Sequence, residues 1–136
     1  VFPDLPLEFV VYGVAVSLQA SSQARTRWID HVRETARIAR GAENFALDVG
    51  VAVTLYYFPR GPMQGDIDNI VKPVLDALSP YIFLDDHQVE RIVVQKFEPG
   101  GEFVFAAPSP ALLLALAAIR PALYVCITDD VHGDLA

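Results

Sequence analysis

Apolar and polar positions alternate along this chain in two periods, and the change from one to the other marks out the elements. Leu7 to Leu18 is rich in Val, Phe and Tyr and predicts a strand. Ser21-Ser22 offers an N-cap, and Gln23 to Arg40 predicts a helix ended by Gly41. On that helix Trp28, Val32 and Thr35/Ala36 form one stripe, while Arg33, Arg37 and Arg40 form another. Leu47, Val49, Val51, Val53, Leu55 and Tyr57 recur at every second position, a strand with one face in the core. Pro59 to Gly65 is a loop. A second helix, capped by Asn69 or Asp68, runs to about Leu78 with Ile70, Val71, Val74, Leu75 and Leu78 on its apolar face. Pro73 suits only the first turn of that helix or a slight kink.

Beyond Ser79-Pro80 and the acidic pair after Leu84, Val89 to Phe97 predicts a strand, Glu98 to Gly101 a turn, and Glu102 to Ala106 its hairpin partner. Ser109-Pro110 opens a wholly apolar helix, Ala111 to Ile119. Leu123 to Thr128 is a last strand, and Asp129 to Ala136 a polar tail. The order β-α-β-α-β-β-α-β predicts an α+β fold with α/β character, a mixed sheet with flanking helices. We expect one domain over 1–136, with 108–136 standing as a C-terminal extension.

Composition supports a full core: hydrophobic residues make up 53% and charged residues 20%, which argues against disorder. One cysteine, Cys126, excludes an intrachain disulfide framework and a Cys-rich zinc site, and a reducing compartment follows as the simple expectation. The longest apolar run, Ala111 to Ile119, is too short for a membrane span. Val1-Phe2-Pro3-Asp4 lacks a basic n-region, so no signal peptide is expected, and the missing initiator Met points to a few leading residues beyond this sequence. The net charge of −7 argues against a generic nucleic-acid binder. Its distribution matters more: Arg25, Arg27, Arg33, Arg37 and Arg40 crowd one helix, and Arg60 and Lys72 flank an acidic pair.

That acidic pair carries the chemistry. Asp66 and Asp68 are followed closely by Asp85 and Asp86. Like charge this dense is costly unless a cation neutralises it, and hard cations such as Mg²⁺ are held by carboxylates together with waters and substrate phosphates. Residues i and i+2 of an extended segment point the same way, so Asp66 and Asp68 could face one ion. Taken singly, each piece has a plainer reading. Asp66 is a turn residue and Asp68 a helix cap. Asp85-Asp86 is a solvated loop, of which only one member could ligate an ion. Asp76 faces solvent or forms a salt bridge, His87 is incidental, and Lys72 pairs with Asp68 or Asp76 along the helix. The arginine-rich helix is a solvated face, diluted by Asp30 and Glu34. The apolar helix is core, or a subunit interface.

The combination is more specific than its parts. Gly65-Asp66-Ile67-Asp68-Asn69-Ile70-Val71-Lys72-Pro73-Val74-Leu75-Asp76-Ala77-Leu78, followed by Asp85-Asp86-His87-Gln88-Val89, resembles the core of the RusA family of Holliday-junction resolvases. The resemblance covers about Gly65 to Phe97. It departs from the family at Ser79-Pro80, where an Asn-Gly turn is common, and in the acidic charge balance. It implies a bacterial or phage-encoded cytoplasmic endodeoxyribonuclease acting on branched DNA as a homodimer. It implies Asp66, Asp68 and Asp86 as the metal-binding acids and Lys72 as the catalytic lysine, with Mg²⁺ as cofactor and Mn²⁺ as a substitute. Asp85, Asn69 and Gln88 match motif positions and are candidates to support those ligands. Arg25, Arg27, Arg33, Arg37, Arg40 and Arg60 are the candidate contacts to backbone phosphates. The alternative is a DNA-binding or assembly module that keeps the fold and cuts poorly. A sugar-nucleotide site built on Asp-x-Asp fits worse, for the chain lacks both the length and a phosphate-cradling Gly loop.

Overall fold

Four strands form one sheet in the order β1-β4-β2-β3: β1 (Leu7–Tyr12), β2 (Val51–Phe58), β3 (Val89–Lys96) and β4 (Ala122–Thr128). The computed structural model describes residues 1–133. β4 runs antiparallel to both β1 and β2, whereas β2 and β3 are parallel. A parallel pair needs a crossover connection. Here the crossover holds a 3-10 turn at Ile67–Ile70, helix α2 (Val71–Leu78) and a second 3-10 turn at Asp86–Gln88. Every acidic residue of the motif therefore lies on one connection between neighbouring strands.

Period two decides which side chains face the helices. Leu7, Phe9 and Val11 of β1, Val51, Val53, Leu55 and Tyr57 of β2, and Leu123, Val125 and Ile127 of β4 join one core. Helix α1 (Ser22–Arg40) covers it with Trp28, Val32 and Ala36, and α2 with Val74, Leu75 and Leu78. Burying a side chain such as Val32 contributes about 1.5–3 kcal/mol, so a charge there would separate α1 from the sheet. The opposite face is covered by helix α3 (Pro110–Ala117) and an aromatic cluster: Phe58, Phe97, Leu112, Ala115 and Tyr124, with Tyr56 and Phe105 packed against them. β2 and β4 are thus covered on both faces, which is why they read as nearly continuous apolar runs. β3, at the sheet edge, stays half exposed.

The mixed α+β class, the single domain and the overall sequence of elements are as expected, and the boundaries differ for identifiable reasons. The first strand stops at Tyr12 and not Leu18; Gly13, at φ +140°, turns the chain out of the sheet. The second strand starts at Val51 rather than Leu47, which makes only an isolated parallel bridge to Phe83. Glu102 to Ala106 forms no strand. Its Phe103 and Phe105 pack tilted against the Phe97 ring instead, so the chain crosses the sheet face on its way to α3 and does not fold back beside β3. Helix α3 ends at Ala117, ahead of Arg120-Pro121, where the residue before a proline avoids helical geometry. The segment after 108 supplies β4, an interior strand. Of the expected polar tail, 134–136 lie outside the described residues.

Candidate active site

Gly65 has φ +77°, a left-handed conformation that glycine adopts without strain, and this turns the loop after β2 into Asp66. Asp66 is extended (φ −92°, ψ 145°) and leads into the 3-10 turn whose first residues include Asp68. The expected cap by Asp68 or Asn69 does not form: neither this turn nor α2 has a side-chain cap. The carboxylates of Asp66 and Asp68 are exposed and engage no hydrogen bond or ion pair among the described residues.

Pro73 falls in the first turn of α2, where a missing amide is tolerated. It also leaves the Asn69 carbonyl without a donor four residues on. That carbonyl accepts instead from the Leu18 amide at 2.9 Å, tying the β1–α1 loop to the site.

The second acidic pair divides its labour. Asp85 caps the 3-10 turn, its Oδ1 accepting from the His87 amide at 3.0 Å. That amide, and then the His87 imidazole, hold the Asp85 carboxyl below the usual range. Gln88 completes the capping box: its Oε1 accepts from the Leu84 and Asp85 amides, while its Nε2 donates to the Leu47 and Val49 carbonyls. One side chain thus fixes the acidic loop to the segment entering β2. The Asp-x-x-Gln spacing is a capping-box signature that could have revealed this role.

Asp86 points the other way, toward α2. Its Oδ2 accepts from Lys72 Nζ at 2.9 Å, and the same ammonium donates to Asp76 Oδ1 at 2.7 Å. These two partners, Asp76 first, raise the Lys72 pKa above the ordinary lysine value, so it stays a cation. The other Asp86 oxygen, Oδ1, is shielded from solvent and has no partner.

A shielded carboxylate oxygen without a donor is costly unless a cation or donor reaches it. The candidate ligands are all oxygen, which suits a hard divalent ion. The donor chemistry therefore fits such an ion. The geometry is open: among the described residues no three His, Cys, Asp or Glu side chains are gathered closely enough to hold a metal.

The arginines also divide. Arg33 donates to the Ala77 and Asp76 carbonyls at 3.2 and 2.8 Å, and Arg40 to the Tyr81 carbonyl at 2.6 Å. Both satisfy carbonyls at and just beyond the C-terminal end of α2. Arg25 reaches the Leu18 carbonyl at 3.0 Å, and Arg60 that of Arg120 at 3.5 Å. Arg37 lies over the Tyr81 ring at 5.0 Å, and both it and Arg27 are exposed. Sequence reasoning missed Glu98, whose Oε2 accepts from the Met63 amide at 2.7 Å and pins the loop entering Asp66. No local signal announces a contact that spans so much chain.

No curated protein matches the chain. A family model described as Endodeoxyribonuclease RusA matches residues 16–102, a span that contains α1, β2 and the whole acidic crossover. That match covers more than half of the sequence, and the chain belongs to the RusA endodeoxyribonuclease family, whose nucleases resolve Holliday junctions and generally depend on a divalent metal.

Proposed function

We propose that the protein is a Mg²⁺-dependent, structure-selective endonuclease that hydrolyses phosphodiesters in four-way junctions or other branched DNA. The observation that carries this reading is Asp86: one oxygen pairs with Lys72, and the other is shielded and unpaired, on the same crossover as the free carboxylates of Asp66 and Asp68. Asp66, Asp68 and Asp86 would hold the ion, with Mn²⁺ as a substitute. When bound, a divalent ion supplies an activated water and neutralises charge on the phosphate. Lys72 stays protonated and presents its ammonium to the scissile phosphate or the leaving oxygen. Asp85 and Gln88 hold the loop that aims Asp86, and the Asn69 carbonyl anchors the other arm of the site. Arg27 and Arg37 present guanidinium groups to backbone phosphates. Arg25, Arg33, Arg40 and Arg60 can do so only with the donors left over from their carbonyl contacts. Such contacts give affinity without sequence preference.

Two symmetric incisions require two sites, so the working form is a two-fold homodimer. The outer face of α3 is the surface we assign to it, because Leu113, Leu114 and Leu116 are exposed while Leu112 and Ala115 are buried. No described helix is long and apolar enough to cross a membrane, and the reading places the protein in the cytoplasm of a bacterium or an infected host cell. The test is cleavage of a synthetic four-way junction with Mg²⁺, beside linear duplex and a metal-free control. Junction cutting that needs metal supports the proposal; no cutting under any metal overturns it. A second reading, a DNA-binding or assembly module that cuts poorly, draws on the net charge of −7 and the apolar face of α3. Junction binding without cleavage would favour it.

A further inference from the structure

We propose that Asp76 is a positioning residue, giving the Lys72 ammonium a seat of its own so that Asp86 can accept a divalent cation. The proposal rests on the metal reading above and deepens it. Lys72 bridges two carboxylates, 2.7 Å from Asp76 and 2.9 Å from Asp86. A second cation at Asp86 must share that carboxylate with an ammonium already on it, and like charges at such range repel strongly. The lysine stem is long and freely rotating, so the ammonium can shift if a second anion holds it.

Asp76 lies one helical turn further along α2, and Lys72 is its only side-chain partner among the described residues. Arg33 takes the Asp76 backbone carbonyl, not its carboxylate, so the carboxylate remains free for this duty. Without Asp76, the ammonium would have Asp86 as its single anion and would compete for it. A surface ion pair that only supports the helix would have no effect on the metal.

The experiment measures Mn²⁺ binding by titration calorimetry on the full chain without DNA. It compares wild type, Asp76→Asn, Lys72→Met and the double variant, with thermal melting to verify folding. Asp76→Asn should weaken Mn²⁺ binding about three- to fivefold, the scale of an exposed ion pair's coupling. In the Lys72→Met background the same change should have an effect below about 1.5-fold, since coupling vanishes when the partner is gone. Equal weakening in both backgrounds would make Asp76 merely another negative charge and overturn the proposal. Unchanged binding in Asp76→Asn would overturn it as well. Wild-type protein that binds no Mn²⁺ would defeat the metal reading itself, and this inference with it.

Discussion

A lysine shared by two carboxylates could be a helix-supporting ion pair or part of the chemistry, and the two roles differ in size. An exposed i, i+4 pair is worth about 0.3–0.5 kcal/mol, and half of the Lys72 side chain is solvent-exposed. Losing a preorganised contact to a developing charge costs about 10²–10³ in rate. Lys72→Ala should therefore melt almost normally and cut a four-way junction very slowly; normal turnover measured in single-turnover assays would return Lys72 to the helix-supporting role. For the acids the expectation is stronger. Asp66→Asn, Asp68→Asn and Asp86→Asn should each reduce cleavage to the metal-free level while the protein still folds. Asp86→Asn could even gain stability, since the shielded oxygen loses its charge. Wild-type cutting by any one of the three would remove that residue from the site.

At the scale of elements, α1 has two kinds of arginine. Arg33 and Arg40 join α1 to the chain at and beyond the end of α2, where carbonyls would otherwise lack donors. Hydrogen bonds from a charged donor are worth about 1.5–3 kcal/mol, so Arg33→Ala should lower the unfolding free energy by about 1–2 kcal/mol in urea. Arg27 and Arg37 are exposed and bond no backbone carbonyl among the described residues. Replacing both with Ala should lower stability by no more than about 1 kcal/mol, the scale of the exposed Arg37–Tyr81 cation–π contact. It should also flatten the salt dependence of junction binding by about two units of log–log slope, nearly one per lost phosphate contact. An unchanged slope would mean that DNA follows another path. The Arg33, Arg37 and Arg40 stripe was visible in the sequence, but its division was not. Which arginine meets a carbonyl depends on where α2 ends in space.

Over the whole molecule, the stretch after residue 108 holds two consequences. It supplies β4 between β1 and β2, so a chain cut at Pro108 should fail to fold, as judged by loss of its cooperative melting transition. A stable shortened chain would show that β1 and β2 can close the gap themselves. The same stretch carries α3, apolar on every side yet buried only through Leu112 and Ala115. Light scattering should give a dimer at micromolar concentration. Leu113→Glu, placed on the exposed face, should give a folded monomer; an unaltered dimer would put the interface elsewhere.

The class of fold, the place of every helix and of four of the five expected strands, and the acidic motif were legible in the residues alone, although the first strand ended six residues early. Those are local properties. Period two marks β2, period three to four marks α1, and Gly65 and Ser109 mark turns and caps that depend on near neighbours. The hairpin expected at Glu102 to Ala106 failed because aromatic packing of Phe103 and Phe105 on Phe97 outweighed local strand propensity, and propensity is a weak prior against burial. The last strand was expected, but its place between β1 and β2 emerged only in the folded chain. The tertiary structure alone aimed Asp86 at Lys72 and tied the Gln88 side chain to the segment entering β2. It left one Asp86 oxygen shielded without a partner, whereas the Lys72–Asp76 pair, one helical turn apart, was already legible in the spacing. The Lys72–Asp86 pair and the Gln88 contacts to Leu47 and Val49 depend on residues well separated in the chain, which no spacing encodes until the crossover from β2 to β3 is closed.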